Sequence, residues 1–154
     1  MDGDAEEGFL FPVEDFSGPP EPVLVSACFL GVPCRWHGRR AAVRTELLER
    51  LKRRFAIVPV CPEQLGGMPT PRTSETLGGH SGADVLDGKA RLVAPETGED
   101  VTAFHVNGAK YVLEIARLIG AKRACLKAGS PSCDRHGVAG ELLSRAGIKV
   151  VKVP

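Results

Sequence analysis

No stretch of the chain strings together the roughly 18 apolar residues that a membrane span needs, so neither a spanning helix nor a membrane partner is expected. Its start carries no basic segment followed by an apolar one, which argues against a secretory signal and for a cytoplasmic protein. Aromatic residues are scarce, at one Trp, one Tyr and six Phe. With so few rings to stack on bases, nucleic acid ranks last among partners. The usual nucleotide cradles are absent: there is no Walker-type phosphate loop and no strand-anchored GxGxxG. No GxSxG elbow marks a serine hydrolase. The five cysteines are odd in number and include no CxxC pair. That argues against a disulfide framework and against a zinc ribbon.

What is present suits one globular domain: 154 residues, 43% apolar and 25% charged. A formal charge of +1 hides an asymmetry. Residues 1–22 hold seven Asp/Glu and no Lys or Arg, which leaves 20 basic against 12 acidic residues in 23–154. The first segment reads as a flexible acidic tail that ends in an extended linker, Pro19-Pro20-Glu21-Pro22. The basic body reads as a solvated surface, although Arg35, Arg39, Arg40, Arg44, Arg50, Arg53 and Arg54 could face an anion.

From residue 23 onward the pattern alternates. Residues 23–27, 55–60, 123–127 and 148–153 are short apolar runs that fit buried strands. Residues 41–54 place Val43, Leu47, Leu48 and Leu51 at helical spacing. Asp100 reads as the cap of a helix that runs to about Ile119, with Phe104, Val112, Ile115, Ala116 and Ile119 on its apolar face and Gly120 past its end. Residues 138–146 read as a short helix. The Gly/Pro-rich stretch 61–82 reads as a long functional loop, and residues 84–93 as a hairpin around Asp87-Gly88. Strands that alternate with helices predict a single-domain three-layer α/β/α fold with a mostly parallel, Rossmann-like sheet of four or five strands.

Three loops that follow predicted strands carry Cys28, Cys61 and Cys133. Ligands in open parallel sheets bind outside the carboxyl ends of the strands, so these cysteines converge. From spacing alone, metal chemistry, redox chemistry and plain burial all remain open. Thiolates select zinc, copper(I) or iron–sulfur clusters. Cys34 would close such a site if it joined, whereas Cys125, inside an apolar strand, reads as core. Glu63 could move protons and Ser130 could bind a ligand or form a turn; Arg72 could bind an anionic substrate or form a structural salt bridge. His37, His80, His105 and His136 show no metal-ligand spacing and are read as surface residues.

The residues also carry a resemblance. Residues 24–31 with Cys34-Arg35-Trp36-His37-Gly38, the block Cys61-Pro62-Glu63 through Pro71-Arg72, Asp100-Val101-Thr102, Ser130-Pro131-Ser132-Cys133 and Gly147-Ile148-Lys149-Val150 resemble, in order, the motifs of the DUF523 family, which includes thiouracil desulfurases. The resemblance implies a [4Fe-4S] cluster held by Cys28, Cys61 and Cys133, with Glu63 and Ser130 on catalytic positions. It implies non-redox hydrolysis of a thiolated nucleobase or related small thioamide, 2-thiouracil to uracil and sulfide. Members that act on tRNA carry a further domain, so a free thiobase is the expected substrate, and a homo-oligomer is left open. Trp36-His37, Ala128-Gly129 and a short segment after Cys133 depart from the family pattern. The alternative function is a non-catalytic module that binds a metal or cluster.

Overall fold

The computed structural model describes residues 18–154. The acidic tail expected over 1–22 therefore lies mostly outside the described residues. Its linker end does not: β1 spans Glu21–Ser26, and Glu21 and Pro22 pair with Phe55 and Ala56. The remaining strands are β2 (Phe55–Val60), β3 (Arg123–Lys127) and β4 (Lys149–Val153). They form one parallel sheet in the order β2-β1-β3-β4. The chain moves one way from β1 to β2 and the other way to β3, so a crevice opens at the carboxyl ends of β1 and β3.

Both faces of the sheet are covered, which is why the central strands β1 and β3 carry the buried apolar runs Val23-Leu24-Val25 and Ala124-Cys125-Leu126, whereas the edge strands β2 and β4 keep exposed residues. Val23, Val25, Cys125, Val151 and Val153 turn to one face and pack with Leu47 and Leu51 of α1 (Thr45–Arg54). Leu24, Ala124, Leu126 and Val150 turn to the other, against Val112 and Ala116 of α4 (Thr102–Ile119) and Leu143 of α5 (Val138–Arg145). The α1 helix starts at Thr45 rather than Ala41, and Val43 lies before it, exposed. Gly120 ends α4 in the left-handed conformation, as its position predicts.

Two expectations are corrected. The stretch after Cys61 is not all loop, because Pro62–Leu65 forms a short helix, α2, with Pro at its start where no amide donor is needed. Residues 84–93 form no hairpin. Ser81 and Asp84 make a reciprocal capping box that starts α3 (Gly82–Leu86), and Asp87-Gly88 closes that helix rather than joining two strands. A single antiparallel bridge, Val93 to Asp100, is the β pairing formed there. Among the described residues no helix is long and apolar enough to cross a membrane.

Candidate active site

The loops at the carboxyl ends of β1, β2 and β3 enclose a cavity of about 250 Å³. Cys28, Cys34, Cys61 and Cys133 all line it, together with Glu63, Arg72, Glu75 and Ser130. Cys125 does not; it is fully buried on the α1 face of β3, and burial pushes its thiol up to about 12.

Local geometry explains each placement. Cys28 sits in a 3-10 turn, Ala27–Leu30, that follows β1 directly and ends on Gly31 at φ 89°. Cys61 is the extended residue that opens α2, which puts Glu63 in the first turn of that helix. Cys133 follows a tight turn in which the Ser130 Oγ accepts the amides of Ser132 (3.3 Å) and Cys133 (3.1 Å). The Ser26 Oγ accepts the Lys127 amide at 2.9 Å and so ties the end of β1 to the end of β3.

The sulfur atoms influence one another. A hydrogen bond from Cys34 lowers the Cys28 thiol to about 7, against the opposing effect of burial. The same donor lowers Cys61 to about 7, again against burial. Cys34 is correspondingly raised by its bonds to Cys28 and Cys61. Burial raises Cys133, and Ser26 offsets part of that rise. Two thiols lowered by a shared donor, beside further sulfur atoms at one strand edge, make the soft donor set that an iron–sulfur cluster takes. The residues present fit such a group.

Arg72 organises the rim. Its Nη2 donates to the Cys34 carbonyl (2.9 Å) and to the Glu63 carboxylate (3.1 Å), while Nη1 donates to the Thr70 hydroxyl (3.0 Å) and the Pro69 carbonyl (3.2 Å). Of the two readings of Arg72, the structure displays the salt bridge, to Glu63. Trp36 also lines the cavity and is 43% exposed.

Two residues of the site were missed by the sequence reading. His105 is completely buried rather than at the surface, and its Nε2 lies 2.6 Å from Oε2 of Glu75. The spacing of 105, 109, 112 and 116 marks the buried stripe of α4 and would have placed His105 inward. Glu75 had no local signal. A donor atom each from Glu63, Glu75 and His105 lie within 4.8 Å of one another.

Comparison with known proteins identifies relatives of the chain. Residues 23–152 match the model of the family described as 2-thiouracil desulfurase. The chain is 38% identical to the uncharacterized protein YbbK of Bacillus subtilis (strain 168), over 84% of this chain and 93% of that one. Among solved structures it resembles the [4Fe-4S]-dependent thiouracil desulfidase TudS with a TM-score of 0.73 and 32% identity, covering 86% of this chain and 90% of that one.

Proposed function

The chain belongs to the 2-thiouracil desulfurase family and is an enzyme of C–S bond chemistry, and we propose that it hydrolyses a thiolated nucleobase or a related small thioamide, as in the conversion of 2-thiouracil to uracil and sulfide. The observation that carries the reading is the cavity in which Cys28, Cys61 and Cys133 from three strand ends meet Glu63 and Ser130. In this reading the three cysteines hold a [4Fe-4S] cluster. When bound, it supplies a Lewis-acidic iron that suits a soft thione sulfur.

The chain's own groups do the rest. Glu63, fixed by the Arg72 guanidinium, takes a proton from the attacking water. Arg72 thereby acts in the substrate cavity through the carboxylate that it orients. The Ser130 oxygen accepts two amides and its hydroxyl lies 3.3 Å from that of Ser132, so its proton would turn from Ser132 to hold a heteroatom of the substrate. Trp36 offers a face on which a planar base can stack.

Purification without oxygen, with iron and acid-labile sulfide assayed and sulfide release from 2-thiouracil measured, tests the proposal. Cys28→Ser, Cys61→Ser and Cys133→Ser should each lose iron, and Cys125→Ser should keep it. A protein that carries a full cluster but releases no sulfide from any thiobase would overturn the reading.

A further inference from the structure

Beyond Glu63 the structure buries a second acid, joined to an imidazole. The Glu75 and His105 side chains are 1% and 0% exposed. Glu75 comes from the loop between α2 and α3 and lines the cavity, whereas His105 lies on the core stripe of α4. At 2.6 Å one proton must lie between Nε2 and Oε2, since two lone pairs do not approach so closely. Glu63 stands within 4.8 Å of both, and Arg72 pairs with Glu63 at 3.1 Å. Arg72, Glu63, Glu75 and His105 thus form one polar line from the rim to the core.

Packing alone does not account for this line. A leucine at 105 would match the stripe of Ala109, Val112 and Ala116 without any polar atom to satisfy. Instead, the Glu75 Oε1 and the His105 Nδ1 are buried without a protein partner, a situation that native structures seldom keep without a use. A bound cation is the weaker explanation. Arg72 already neutralises Glu63, and an ion shared by Glu75 and His105 would have to break their hydrogen bond.

We propose that Glu75 and His105 are positioning residues that act on Glu63 through their proximity and store the second proton of the hydrolysis, an inference that rests on the desulfuration reading. In that reaction the water oxygen forms the new C–O bond, and the C–S bond breaks with its electron pair leaving on sulfur. Water loses two protons and sulfide gains two, so no oxidant or reductant is needed. Glu63 carries one proton at a time. The other passes to the Glu75 carboxylate, and the proton shared with His105 shifts to keep the buried charge balanced. The charged and titratable groups around the pair are Glu63 and Arg72 on the near side, with Arg35, Lys127, Cys28, Cys34, Cys61 and Cys133 also lining the cavity.

The test compares Glu75→Gln, Glu75→Asp and His105→Gln with the wild type, all loaded with cluster and assayed for iron. Glu75→Gln and His105→Gln should keep KM for 2-thiouracil within about twofold and lower kcat by about 10²-fold. Glu75→Asp, which retains an acid, should recover part of that loss. In the loaded wild type labelled with 15N-histidine, a slowly exchanging, strongly downfield imidazole proton should appear and vanish in Glu75→Gln. Unchanged kcat at full iron content, or equal activity of Glu75→Gln and Glu75→Asp, would overturn the relay while leaving the desulfuration reading intact. A loaded wild type that releases no sulfide would remove both.

Discussion

Arg72 and Glu63 meet at 3.1 Å with side chains only 4% and 16% exposed. The pair fastens the loop that carries Cys34 to the helix that follows Cys61, because the same guanidinium nitrogen also binds the Cys34 carbonyl. Replacing Arg72 with Met leaves a poorly hydrated carboxylate with no counter-charge. Losses of about 3–5 kcal/mol follow when one partner of a buried pair is removed, and this pair, slightly open to water, should fall near the lower end. Arg72→Lys keeps the charge but not the planar fork, so it should reach fewer of the four acceptors and lie between the two. Urea unfolding of the three proteins checks the order.

Trp36 is held by its backbone, and its ring stands at the cavity. Its carbonyl accepts the Arg72 amide at 2.7 Å, while the indole borders the cavity and meets the edge of His37 at a centroid distance of 5.1 Å. Stacking a base on an aromatic ring is worth ~1–3 kcal/mol, or on the order of tenfold or more in affinity. Trp36→Ala should therefore raise KM for 2-thiouracil by about tenfold with kcat little changed, and Trp36→Phe should restore most of the affinity. Steady-state kinetics at equal iron content separates this from damage to the site.

The sheet was more legible than the site. Phe55–Val60 and Arg123–Lys127 were readable to the residue, because each is a short apolar stretch bounded by charged or turn-forming residues. The hairpin expected at Asp87-Gly88 failed because a glycine at φ 74° serves the end of a helix as readily as a two-residue turn. The deciding signal was the Ser81–Asp84 cap, six residues earlier than the Asp-Gly pair it overrides. The cysteines of the cavity could be grouped from the strand pattern, since any residue just past a parallel strand shares that edge. Glu75 could not. Its partner His105 is thirty residues away, and only the packing of α4 brings the two together.

Asp100 gives a titration with a defined sign. Its carboxylate accepts from Arg91 and, at 3.0 Å, from the Thr102 amide, and these bonds hold it at about 2, below the ordinary 3.8. The folded state therefore binds this proton less readily than the unfolded chain. Its stabilising contribution is complete above about pH 4 and is lost as the pH falls through about 2. Wild type should exceed Asp100→Asn in urea midpoint near pH 5, and the two should converge near pH 2. Both partners are well exposed, so the difference should be small and should narrow further in high salt. A gap that widens toward low pH would contradict the assignment.

Gly108 sets how closely α4 approaches the helix that carries Glu63. A Cβ there would stand 1.9 Å from the Pro62 carbonyl oxygen, and one at Gly66 would stand 2.0 Å from the Phe104 carbonyl oxygen. Both obstacles are backbone, so neither can rotate away; the helices would have to part. Helix propensity argues the other way, because Ala inside a helix is favoured over Gly by about 1 kcal/mol. Overpacking costs about 1–3 kcal/mol, and more where backbone must move, so the steric effect should win at this contact. Gly108→Ala is expected to lower the urea midpoint. It should also cut sulfide release by about 10²-fold at full iron content, since α2 would carry Glu63 away from its place by a sizeable part of an ångström. An Ala variant of higher stability and full activity would mean that α2 and α4 can separate without disturbing Glu63.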